Sequence, residues 1–151
     1  MIDRFEEILR ELGIEYAEPL HLDKHGACKL FINETLHVQL ESRPEYDAIV
    51  AATFLGEITP GKFRENLLKA ALKTNYLYPE SAVLSYSERN NQLALFQFIP
   101  ITSLTGKKLS DYLLGFAKKA GEWRSRLETG DLSNLAPPSS SSGRGMFGLT
   151  P

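Results

Sequence analysis

Apolar positions along the chain change period several times, and each change marks an element. Near the N-terminus Ile2, Phe5, Ile8, Leu9 and Leu12 recur at steps of three and four. They share one face of a helix over 4–12, with Asp3, Glu6, Glu7, Arg10 and Glu11 on the wet side. Asp3 is placed to cap it through the amide of Glu6, and Gly13 to stop it. The period then drops to two. Cys28, Leu30 and Ile32 alternate with Lys29, Phe31 and Asn33, and beyond a turn at Asn33-Glu34, Leu36, Val38 and Leu40 alternate with His37, Gln39 and Glu41. That is a hairpin with one apolar face. The run 48–58 is almost continuously apolar or small. It predicts a central strand covered on both faces.

A second helix is expected over 60–77, with Thr59 as its cap and Pro60 in its first position. It carries two apolar flanks. Phe63, Leu67, Ala70 and Thr74 lie along one, and Leu68, Leu72 and Tyr76 along another. A surface helix of a monomer needs one apolar face, so the second flank implies a second partner. Pro79 separates this helix from another hairpin, 82–87 and 92–99, turning at Arg89-Asn90-Asn91 and ending at Pro100. The strongest helical stripe follows over 107–127: Leu109, Tyr112, Leu113, Phe116, Ala117, Ala120, Trp123 and Leu127. The sum is an α+β fold in the order α-βββ-α-ββ-α, with an antiparallel twisted sheet of about five strands. Domain boundaries are expected at 1–128 for the folded unit and 129–151 for a Ser/Pro/Gly-rich tail. The tail cannot bury enough apolar area to offset its chain entropy. Its apolar end, Met146, Phe147 and Leu149, is either incidental or a short docking motif or self-covering plug.

Composition narrows the function. The chain has 151 residues, 42% hydrophobic and 24% charged, with net charge −2. This is an ordinary one-domain mix with no electrostatic footprint for nucleic acid or anionic lipid. Its single cysteine, Cys28, lies in an apolar run and reads as a core thiol in a reducing compartment. No signal peptide and no membrane-spanning run is expected.

Chemistry is sparse. His21, Asp23 and His25 alternate and could offer three ligands, but Gly26 follows and no fourth ligand is spaced to join them. A solvated loop is the preferred reading. No nucleophile elbow or phosphate loop is present. Lys107-Lys108 and Lys118-Lys119 stand beside Asp111 and Glu122 and read as a solvated helix face. No catalytic residue, cofactor or metal is expected.

The stretch LLKAALKTNYL at 67–77, with its Asn near the end, is followed by SAVLSYSERNNQLALFQFIPI at 81–101 and LSDYLLGFAKKAGEWRSRL at 109–127. Together with the order of elements, this resembles the class I type III secretion chaperones, the Tir-chaperone or CesT-like family. The resemblance covers 1–128, most clearly 59–127, and its motifs are apolar and non-catalytic. It implies a homodimer in the bacterial cytosol. That dimer would bind the N-terminal segment of a secreted effector in wrapped, non-globular form and cooperate with the secretion ATPase. The candidate effector-binding positions are Phe5, Leu9, Phe31, Val38 and Leu40. The candidate dimer positions are Leu68, Leu72, Tyr76, Val83 and Ser85; the two-flank pattern supports Leu68 and Leu72, and the resemblance alone supports Val83 and Ser85. Two rivals stay open: a small α+β enzyme using His21, Asp23 and His25, and an adaptor for a folded partner.

Overall fold

The computed structural model describes residues 3–78 and 82–132. Ile2, Pro79 and the tail residues Met146, Phe147 and Leu149 lie outside the described residues. The element order is α1 (Arg4–Glu15), β1 (Ala27–Ile32), β2 (Leu36–Arg43), a 3-10 turn (Pro44–Tyr46), β3 (Ala48–Glu57), α2 (Lys62–Leu77), β4 (Val83–Ser87), β5 (Gln92–Pro100) and α3 (Gly106–Thr129). The five strands form one antiparallel sheet in the order β1-β2-β3-β5-β4.

The stripes predicted from period become the core. In α3, Leu109, Leu113, Phe116, Ala120 and Trp123 are buried, and in α1, Phe5, Ile8, Leu9 and Leu12 are. Both helices pack together, with α3 against β1, β3 and β5. They meet the sheet face that presents Cys28, Leu30, Ile32, Val38, Leu40, Ile49, Ala51, Leu95 and Ile99. That face is fixed by the two-residue alternation of each strand. A single slip of register would turn it to water.

The closest approach of the two helices is at Gly106. A Cβ there would stand 2.4 Å from the Glu11 Cβ and 2.6 Å from the Leu12 nitrogen. The glycine is required by space. Its amide donates to the Glu11 carboxylate at 2.7 Å, so a side chain of α1 satisfies an open donor of the first turn of α3. Thr105 caps the same end by accepting from the Lys108 amide, and Gly130, at φ 72°, closes the other. The Arg4 guanidinium donates to the Leu104 carbonyl beside this junction.

Local details differ from the sequence expectation where tertiary contacts override local signals. Asp3 takes the cap position of α1 without a side-chain hydrogen bond. Gly13 lies within the helix, which continues to Glu15. A Cβ at Gly13 would stand 2.8 Å from the Glu18 carbonyl oxygen, so this glycine admits the returning chain and does not end the helix. Helix α2 starts at Lys62 with Gly61 as its cap, leaving Thr59-Pro60 in the approach. Strand β3 is central, as expected, yet its outward positions Val50 and Ala52 are only half-buried and Phe54 is exposed. Among the described elements no helix lies over them. A bulge between Phe54 and Gly56 shifts the β3–β5 register near the strand end.

Two outcomes are expected from this core. Gly106→Ala will force α1 and α3 apart and lower stability by about 1–3 kcal/mol, the usual cost of overpacking, read as a fall in the urea midpoint. Cys28 is fully buried and desolvation pushes its thiol up to about 11 from 9.0. Because the folded value lies above the unfolded one, the contribution to stability is complete below pH 9 and is lost as pH rises toward 11. A thiol reagent at pH 8 should therefore label Cys28 only after denaturant unfolds the chain. Rapid labelling of the native protein would contradict its place in the core.

Candidate functional site

The sheet has a second face, and register defines it. Positions that alternate with the core residues form cross-strand rows. One runs Gln39, Ala52, Phe96, Val83, a second Glu41, Val50, Phe98, and a third Phe54, Ala94, Ser85. Over β1 and β2 this outer face is mostly polar, with Lys29, His37, Gln39 and Glu41, apart from Phe31 resting on His37 at 5.0 Å between ring centroids. Over β3 and β5 it is apolar and aromatic. The Phe98 ring meets Tyr46 edge-on at 5.5 Å and Phe96 at 6.1 Å. These rings hold one another in edge-to-face geometry while Tyr46 stays 66% exposed, Phe54 53% and Phe98 48%. A cluster of this kind on one face is unusual for a lone soluble domain.

Helix α2 lies beside β4, the edge strand. Leu67 and Ala71 are its buried residues, with Phe63, Leu68 and Ala70 partly covered. The second flank faces outward: Leu72 is 70% exposed and Tyr76 38%. The five positions expected to contact another subunit thus fall on two neighbouring elements. Leu68, Leu72 and Tyr76 are on α2, and Val83 and Ser85 are on the outer face of β4, half-buried, in the rows of Phe96 and Ala94.

The five expected effector positions divide differently. Phe5, Leu9, Val38 and Leu40 are core residues, each at most 2% exposed, and Phe31 stands at the surface. The apolar side of the first hairpin and of α1 was legible, but both sides turn toward α3 and each other, so their area is already used within the chain. Conversely, Tyr46, Phe54 and Phe98 lie outside the expected set. Their signal was present: β3 and β5 carry apolar residues at both phases of the alternation.

Main-chain groups at the open edge of β1 form a second feature. The Asp23 carboxylate accepts from the amides of His25 at 2.8 Å and Ala27 at 3.0 Å, and the Asp23 amide donates to the Ala27 carbonyl. These bonds, with Ala27 first, hold the Asp23 carboxyl below its ordinary value. Asp23 is thereby an organiser of its own turn, and among the described residues no three His, Cys, Asp or Glu side chains gather to hold a metal. Ala27 accordingly points its main-chain groups away from β2. Alternation of antiparallel pairing then turns those of Lys29 and Phe31 outward as well. Beside this edge, Arg10, Ile14, Pro19, Leu20, His21 and Leu22 line an open groove, with Ile14 75% exposed.

No helix among the described residues is long and apolar enough to cross a membrane. No curated protein matches the sequence. Solved structures share the fold. A chain of the HopA1–SchA chaperone–effector complex superposes at a TM-score of 0.69 with 22% identity, covering 83% of this chain and 99% of that one. A chain of the ExsC–ExsE complex gives 0.68 and 20%, covering 80% and 90%. A chain of the complex between the Yersinia pestis type III secretion chaperone SycH and a stable fragment of YscM2 gives 0.61 and 20%, covering 77% and 96%. The model of the Tir chaperone protein (CesT) family matches residues 5–124, so the chain belongs to that family.

Proposed function

We propose that this chain is a type III secretion chaperone of the bacterial cytosol. It acts as a homodimer, holds the N-terminal segment of a secreted effector in non-globular form, and delivers it to the secretion apparatus and its ATPase. Residues 1–128 make up the chaperone unit, and 129–151 are appended to it. The three similar structures named above are complexes, one of a chaperone with an effector and another of a chaperone with a bound protein fragment. Family membership favours a binder over the rival enzyme, and Asp23 is engaged in its own turn.

The observation that carries this reading is the uncovered aromatic face at Tyr46, Phe54 and Phe98. An aromatic side chain has about 150–250 Å² to bury. Half-exposed, each leaves roughly 100 Å², or about 2.5 kcal/mol at about 25 cal/mol per Å². Three such rings offer roughly 7 kcal/mol, against an ordering cost of about 2–5 kcal/mol for a flexible guest. The guest's apolar side chains lie on this face. Its main chain adds a strand at β1, where Lys29 and Phe31 present outward N–H and C=O groups. Phe5, Leu9, Val38 and Leu40 support these surfaces from within. Leu68, Leu72 and Tyr76, with Val83 and Ser85, form the contact between the two copies.

Three measurements test this. Affinity capture from the native cell, followed by deletion of the N-terminal segment of the captured protein, should recover a secreted protein and then lose it. Recovery that survives the deletion would favour an adaptor for a folded partner. Leu72→Asp buries an unpaired carboxylate in the subunit contact. It should weaken self-association at least about 100-fold, from a penalty of about 3 kcal/mol, read as monomer mass by light scattering; an unchanged dimer removes this flank from the interface. Lys29→Pro deletes an outward N–H without breaking the β1–β2 ladder. It should weaken guest binding by about tenfold, the weight of one hydrogen bond, while the urea midpoint stays near that of the unaltered chain.

A further inference from the structure

The sheet has two edges, and they are treated differently. In the register of β4 with β5, Val83, Ser85 and Ser87 stand opposite Phe96, Ala94 and Gln92 and alternate with Leu84 and Tyr86, and the bonds that Leu84 makes to α2 fix which set faces β5. The main-chain groups of Leu84 therefore point away from the sheet. Both are taken by one side chain of α2: the Asn75 amide donates to the Leu84 carbonyl at 2.8 Å, and its oxygen accepts from the Leu84 amide at 2.9 Å. A carboxamide resembles a piece of main chain, with an N–H donor and a C=O acceptor side by side. Asn75 thus makes the pair of bonds that a neighbouring strand would make. One step along the edge, the Lys119 ammonium of α3 donates to the Ala82 carbonyl. Leu84 is thus closed on both groups and the Ala82 carbonyl just before β4 is taken as well, which leaves Tyr86 as the one further outward position of that strand, whereas at β1 Asp23 closes Ala27 and leaves two, Lys29 and Phe31.

We infer that Asn75 is an edge blocker. It stands in for a sixth strand at the Leu84 step of β4, leaves that edge a single outward position at Tyr86, and so directs strand addition, by a guest or by another copy of this chain, to β1. The choice of residue is specific. Asn is a weaker helix former than Leu, Ala or Gln, so its place inside α2 is not explained by helix stability. Aspartate keeps the acceptor and loses the donor, and alanine reaches neither group. An open strand edge is a template for pairing with further chains. With β4 open as well as β1, each copy would have two such edges, and growth would no longer close. The inference rests on the strand-addition reading for β1, but its test needs no guest, so the two can fail separately.

The test is Asn75→Leu in the full chain. This variant has near-equal size and higher helix propensity but no group for Leu84. Two quantities are read: exchange of the Leu84 amide proton in dilute solution, and mass by light scattering across a concentration series. The expected result is exchange at Leu84 faster by about tenfold, the weight of one hydrogen bond. Mass should rise above that of the unaltered chain with concentration, while circular dichroism stays unchanged. A role limited to gluing α2 to β4 predicts a lower urea midpoint with a mass curve that overlays the unaltered chain, and that overlay would overturn the inference. Should Asn75→Leu not fold, Asn75→Ala carries the same test with the same two outcomes. Asn75→Asp, retaining the acceptor, should keep the Leu84 amide protected; exchange there as fast as in Asn75→Leu also counts against it.

Discussion

The whole arrangement depends on one helix covering one side of one sheet. Helix α3 carries the longest apolar stripe, and Leu109, Leu113, Phe116, Ala120 and Trp123 all turn to the same face of β1, β3 and β5. Helix α1 seals the remainder by crossing α3 at Gly106, where backbone meets backbone too closely for any side chain. With both helices committed to that face and α2 beside β4, no helix among the described elements covers the other side of β3 and β5. The strands obey the alternation that the core demands, and the residues of opposite phase are delivered outward whatever their chemistry.

That constraint explains why the surplus of apolar surface is where it is. On β1 and β2 the outward positions are mostly polar, as in a sheet meant to face water. On β3 and β5 they are Val50, Ala52, Phe54, Phe96 and Phe98, and Tyr46 is folded over onto Phe98. The flank of α2 around Leu72 adds a second uncovered area beside β4. A lone domain gains nothing from either. The proposed function uses both: one surface joins two copies while the other offers a chain in transit the burial it does not provide for itself.

Edges complete the picture, since main-chain groups bind any sequence and must be rationed. The sheet turns main-chain groups of Lys29 and Phe31 outward at β1, while Asn75 occupies those of Leu84 on β4 and Lys119 the Ala82 carbonyl just before it.

Element type and order were legible in the chain because period is a local property. The stripes of α1 and α3, the hairpin 28–40 and the turn at Asn91 all follow from spacing and from residues that tolerate a left-handed backbone. The second flank of α2 was legible too, since Leu68, Leu72 and Tyr76 exceed what one contact can use. What the sequence could not decide was which apolar face meets its own chain. Phe5, Leu9, Val38 and Leu40 look the same as interface residues until α3 is laid against them, and Phe54 and Phe98 look like core until no helix is left to cover them. Gly13 reads as a helix stop until the returning chain at Glu18 is seen to need its space. Burial is a property of pairs of distant segments, and only the tertiary structure assigns the partners.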